Sequence, residues 1–350
     1  MGAFLQCVQR FASILMCALP IYAVADAPKI VHIGYQKSGF LLLVRSEGTL
    51  EKRIESLGYA VEWHEFTSGP PLLEAMNSST VDFGHSGQPP PVFAQSNGVP
   101  FVYVATTESS PDSSGLLVPQ NSPLKTVADL KGKRLAFARG SSSHFFAAQL
   151  LAQAGLTFAD IKPIYLQPSE ARAAFQSSAI DAWAVWDPYF SAAELQLNGR
   201  TLATGRGLTG FREFYFARKS YLESRAAETL PVILGVLRET GQRVQADVKG
   251  TASILAEKLG IPAAVLERSE ARAHYTSLLP ITPAIIAEQQ FSGLFPPTAT
   301  AVTLGLPRAD AFWTSITSAR SRSPPMHWVF TGSSSRRGVP ARTPGWLPQL

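Results

Sequence analysis

From Lys29 onward, short apolar runs rich in β-branched residues alternate with stretches whose apolar positions recur every three or four residues. KIVHIGY, VEWHEF, VDFGHS, RLAFA and IDAWAVW have the period and composition of strands. LLLVRSEGTLEKRIESLG, LLEAMN, VFAQSNG and the segment starting at Ser143 have those of helices. Strand followed by helix, several times over, predicts an α/β protein with mostly parallel strands. Nothing recurs at a fixed short period, so a solenoid is not indicated.

Five strand ends share one feature: Ser, Thr, Gly, Gln or Lys stands where the helix begins. The corners carry Gln36, Lys37 and Ser38; Ser68 and Gly69; Ser86, Gly87 and Gln88; Ser141, Ser142, Ser143 and His144; and Trp186 with Asp187. Each has an ordinary structural use, as a helix cap, a turn or a solvated charge. A helix start also offers unpaired amides and the positive end of the macrodipole, which suits an anion. In open α/β sheets ligands sit at the carboxyl ends of strands, so five such corners around one crevice would aim amides and hydroxyls at a common point.

Composition narrows the chemistry. Residues 1–25 hold one basic residue, Arg10, an apolar stretch from Phe11 to Leu19 and a small-x-small ending at Ala23 and Ala25, which predicts a secretory signal peptide cleaved before Asp26. A membrane anchor would need about 20 unbroken apolar residues, and Pro20 interrupts the run. Both cysteines, Cys7 and Cys17, fall inside that leader, so the mature chain would have no thiol for a disulfide, a zinc site or nucleophilic attack. The six histidines form no HExxH or His-rich cluster, and no metal is expected.

The formal charge of +5 is concentrated at the ends. Without Arg10 and the five arginines beyond Ala319, 25 of the 31 basic residues remain against 26 acidic ones, so the body is nearly neutral and nucleic acid is not an expected partner. After cleavage about 325 residues remain, enough for two compact units. Residues 319–350, rich in Ser, Pro and Arg, are predicted to be disordered. No G-x-S-x-G elbow appears, no Walker lysine follows a G-x-x-x-x-G frame and no G-x-G-x-x-G opens a helix, which leaves enzyme and nucleotide-binding readings unsupported.

In order, IGYQKSG, GTLEKRI, EFTSGPPLLEAMN, VDFGHSGQPPPVFAQ, VADLKGKRLAFARGSSSH, ARAAF and IDAWAVWDPYFSAAE resemble the periplasmic aliphatic-sulfonate-binding proteins of ABC transporters, relatives of the taurine- and nitrate-binding proteins. The resemblance runs from Lys29 to Gln290. It implies a type II periplasmic binding fold: two α/β lobes, a hinge of two crossover strands near residues 116–120 and 214–218, and a ligand cleft between them. Lobe 1 would comprise 28–118 and 218–318, and lobe 2 would comprise 119–217. The family's cleft residues fall on all fourteen corner residues named above.

The implied role is capture of an organosulfonate by a monomer without cofactor or catalysis, for delivery to membrane permease and ATPase subunits. Taurine, nitrate or a thiamine precursor are alternative ligands on the same scaffold, and a desulfinase-like enzyme would need the absent cysteine. Two departures stand out: the family usually has an acid where Gln88 stands, and residues 291–307 and the tail read as if frame changes or another sequence alteration had scrambled them.

Overall fold

The computed structural model describes residues 29–208, 210–273 and 278–292. The predicted leader, the tail 319–350 and all but the first two residues of the stretch 291–307 lie outside the described residues. The first lobe begins with β1 (Lys29–Gln36), α1 (Gly39–Glu47), α2 (Thr49–Glu55), β2 (Tyr59–Phe66), α3 (Gly69–Asn77), β3 (Phe83–Gly87), α4 (Pro89–Ser96) and β4 (Phe101–Thr106). The chain then crosses into β5 (Ser114–Pro119), β6 (Arg134–Phe137), α5 (Ser142–Gln153), β7 (Lys162–Tyr165), α6 (Pro168–Gln176), β8 (Ala182–Trp186), α7 (Tyr189–Gln196) and β9 (Gly199–Thr204). It returns as β10 (Glu213–Arg218), followed by α8 (Lys219–Ser224), α9 (Ala226–Ala246), α10 (Val248–Leu259), α11 (Ala263–Arg272) and α12 (Pro283–Ser292).

Two five-stranded sheets result, ordered β2-β1-β3-β10-β4 and β7-β6-β8-β5-β9. In each, three parallel strands are followed by one antiparallel strand, β10 or β5, which is the first strand after a crossing. The passages between sheets are residues 107–113 and 205–212, so LLVPQ and FYFAR lie mainly within sheets rather than between them. The physical reason is burial on both faces: Leu116, Leu117, Val118, Phe214, Tyr215 and Phe216 are all 1 % exposed or less, and a connector would leave them in water. Phe190 packs so closely on β5 that a Cβ at Gly115 would stand 2.3 Å from its ring, and only glycine fits.

The two lobes repeat one local device. NSSTVD and QSSAID each end a helix, place a serine in left-handed backbone (Ser79, φ 67°; Ser178, φ 58°) and deliver an aspartate just before the third parallel strand. Asp82 Oδ2 accepts from the His32 amide at 3.1 Å, and Asp181 Oδ2 from the Arg134 amide at 2.7 Å. These bonds tie the strand after the aspartate to its parallel neighbour, β1 in the first lobe and β6 in the second. Among the described residues no helix is long and apolar enough to cross a membrane.

Candidate functional site

The carboxyl ends of β1, β3 and β8 and the turn after β6 open into one cleft. Of the fourteen corner residues, Gln36, Ser38, Gly69, Ser86, Gly87, Gln88, Ser141, Ser142, Trp186 and Asp187 line it, and Lys37, Ser68, Ser143 and His144 do not.

Local chemistry separates the corners. Gln36 is buried and its Nε2 donates to the His85 carbonyl at 3.0 Å, which fixes the end of β1. Lys37 points elsewhere, pairing with Glu65 at 3.2 Å on the exposed surface. Ser38 caps α1 through extended backbone, and its hydroxyl makes no cap bond. Helices α3 and α4 begin with Gly69-Pro70-Pro71 and Pro89-Pro90-Pro91, and proline has no N–H to donate. Donors at those corners must therefore include side chains. Ser68 and Ser86 are each 1 % exposed, and among the described residues neither hydroxyl oxygen has a hydrogen-bond partner. Ser86 Oγ sits so close to Gly69 that a Cβ there would be 2.0 Å from it.

The triple-serine turn is divided. Ser141 Oγ accepts from the Ser143 amide at 3.2 Å and donates to the Ala138 carbonyl at 2.7 Å, while Ser143 Oγ accepts from the Ala138 amide at 3.3 Å. These two hydroxyls fold the turn, and Ser143 faces inward for that reason. Ser142, partly exposed, faces the cleft opposite Gly87 of the other lobe. His144 Nδ1 accepts from the Gly140 amide at 3.2 Å, and its ring stacks on Phe137 with centroids 4.9 Å apart. It is a structural acceptor beneath the turn rather than part of the lining.

Residues 58–207 match the family model NMT1/THI5 like. The chain is 40 % identical over 286 residues to an aliphatic sulfonates-binding protein of Escherichia coli strain K12, covering 81 % of this chain and 89 % of that one. It belongs to the family of aliphatic sulfonate-binding proteins. Among solved structures, the alkanesulfonate-binding protein SsuA from Xanthomonas axonopodis pv. citri bound to MOPS superposes with a TM-score of 0.71 at 40 % identity, covering 76 % of this chain and 91 % of that one. The periplasmic aliphatic sulphonate binding protein SsuA from Escherichia coli gives 0.66 at 40 % identity with the same coverage. The type II periplasmic binding fold expected from the sequence is therefore the fold of this family member.

The cleft of this sulfonate-binding family member also contains residues the corner pattern does not reveal. The crossings contribute Thr107, Ser110, Ser113, Phe211 and Arg212, and the start of β10 adds Glu213. Arg212 brings a cation to the lining, held at 2.9 Å by Glu288 and at 2.9 Å by the Thr107 carbonyl. Helix α11 adds Leu266, Ser269 and Glu270 and reaches the second lobe through Arg272. That guanidinium bonds Glu194 at 2.6 Å, stands 3.6 Å from Asp187 and lies over the Phe190 ring at 4.1 Å. Asp187 in turn caps α7, accepting from the Ser191 amide at 2.8 Å and the Ser191 hydroxyl at 2.6 Å.

Burial sets the protonation of two groups. It pushes the Asp187 carboxyl up to about 6, against the Ser191 bonds and the Arg272 charge. It pushes the His144 imidazole down to about 4, with Arg139 acting in the same direction. Unfolded His144 takes up a proton near 6.5 and the folded ring only near 4, so its contribution to stability falls as pH drops through that window. Asp187 works in the opposite sense below about 6, because the folded carboxyl is protonated before the unfolded one. His144→Phe keeps a ring on Phe137 and removes the titration. The urea midpoint of this variant relative to the parent is expected to rise as pH is lowered from 7.5 to 5; a difference independent of pH would show that His144 titrates normally in the fold.

Proposed function

We propose that this chain is a periplasmic solute-binding protein that captures aliphatic sulfonates and passes them to the permease and ATPase subunits of an ABC importer. The observation that carries the reading is a buried, unpartnered hydroxyl, Ser86 Oγ, in the same cleft as the start of α5 and an apolar wall of Leu42, Phe145, Trp186 and Phe211. A buried hydroxyl without a partner is costly, and a ligand oxygen relieves that cost.

A sulfonate stays ionised at physiological pH, so the protein need only supply donors, and no proton transfer is involved. Ser38, Ser86, Ser142 and the first amides of α5 hold the oxygens from both lobes. Ser68, Ser141, Ser143 and His144 support that shell from behind, and Lys37 adds only distant attraction. The alkyl portion lies on Trp186, each buried CH₂ contributing about 0.8 kcal/mol. Micromolar capture requires about 8 kcal/mol net, within reach of a few charge-assisted hydrogen bonds and one apolar wall. Because donors come from both lobes, ligand favours the closed arrangement, which presents one composite surface to the permease.

The chain acts without catalysis or cofactor. Its only cysteines lie in the leader that would direct export, so the desulfinase-type nucleophile is missing from the mature protein. A second reading has support from the carboxylates of Glu213 and Glu270 in the lining: they favour a sulfonate that carries its own cation, such as taurine.

Calorimetry with a series of straight-chain alkanesulfonates, taurine and nitrate, together with product analysis after prolonged incubation, tests these readings. Alkanesulfonates are expected to bind and remain intact, whereas preference for nitrate or appearance of sulfite would overturn the proposal. Trp186→Ala is expected to weaken binding more as the chain lengthens, by about fourfold per buried methylene. An equal loss for every chain length would remove Trp186 from the apolar wall.

A further inference from the structure

Away from the cleft, the pairing of β1 and β2 gathers three possible metal ligands. His32 and Glu62 are direct partners in the parallel register, and His64 follows Glu62 by two residues, so all three side chains leave the same face of the sheet. β2 is the outer strand, and none of the three lines the cleft. His32 Nδ1 lies 3.1 Å from His64 Nε2; Glu62 Oε2 is 3.7 Å from the first nitrogen, and Glu62 Oε1 is 3.5 Å from the second. Ligands held tetrahedrally at about 2.0–2.2 Å from an ion stand about 3.3–3.6 Å from one another, so this triangle needs almost no rearrangement to close on one. Asp82 Oδ2 accepts the His32 amide at 3.1 Å and anchors the first ligand's strand. Two imidazoles and one carboxylate suit a borderline transition ion rather than calcium or magnesium.

We propose that His32, Glu62 and His64 form a binding site for Zn²⁺ or a similar transition-metal ion at the outer edge of the first lobe, with water completing the coordination. The ion would pin the edge strand β2 to β1. The test uses the untagged full chain, freed of metal with EDTA and titrated with ZnCl₂ in Tris, a buffer without a sulfonate. One ion per chain and a raised melting temperature are expected, and cobalt substitution should give the intense visible absorption of a tetrahedral site. Glu62→Gln, at an exposed position, should weaken zinc binding at least about tenfold and His64→Gln about 100-fold or more, with alkanesulfonate affinity unchanged in both. Zinc stoichiometry and thermal shift equal to those of the parent in both variants, or absence of the cobalt bands, would overturn the assignment.

Discussion

Gly87→Leu is expected to weaken sulfonate binding at least about 100-fold, a loss of about 2.7 kcal/mol, while leaving the chain folded. Gly87 ends β3 in the first lobe, and a Cβ placed there would stand 2.0 Å from Ser142 Oγ and 3.2 Å from Ser142 Cβ in the second. The hydroxyl can rotate away, but the Cβ is fixed by the first turn of α5. A leucine side chain would therefore occupy space between the lobes and hold them apart. Its backbone is not in the left-handed region, so the substitution carries little local strain. Unchanged affinity by calorimetry, with an unchanged melting temperature for the free protein, would mean that ligand does not bring these two corners together.

Asp82→Ala is expected to cost about 3–5 kcal/mol of stability. Asp82 is fully buried and receives Arg218 at 2.6 Å, Arg225 at 3.0 and 3.1 Å and the His32 amide at 3.1 Å. Removing the carboxylate leaves two guanidinium groups facing one another, with side chains only 14 % and 25 % exposed, and strands the His32 amide. Asp181 occupies the matching place in the second lobe but is 31 % exposed, and its cation, Arg134, is 41 % exposed. Water can replace much of that pair, so Asp181→Ala is expected to cost about 1 kcal/mol. Urea unfolding of the two variants side by side checks the comparison. Equal losses would show that burial does not set the worth of these aspartates.

The strand ends at Gln36, Ser86 and Trp186 were legible because a hydrophobic run followed by small polar residues marks where an α/β strand gives way to helix. Which hydroxyl faces the cleft was not, since Ser141, Ser142 and Ser143 have the same chemistry and only the folded turn distinguishes them. His144 and Ser143 adjoin lining residues and turn inward to satisfy the Gly140 and Ala138 amides. Arg212 and helix α11 escaped detection for another reason: their place depends on where the chain changes sheets, and doubly buried runs such as FYF read equally well as hinge or core strand. The grouping of His32 with Glu62 and His64 depends on strand register, which periodicity cannot supply.

A crystal structure of the untagged, mature protein grown with hexanesulfonate tests the central claim most directly. The expected result is sulfonate density between the lobes, within hydrogen-bonding distance of Ser86 Oγ and the first amides of α5, with the hexyl chain against Trp186. Sulfonate density bound elsewhere, with the Ser86 hydroxyl still unpartnered, would contradict the account.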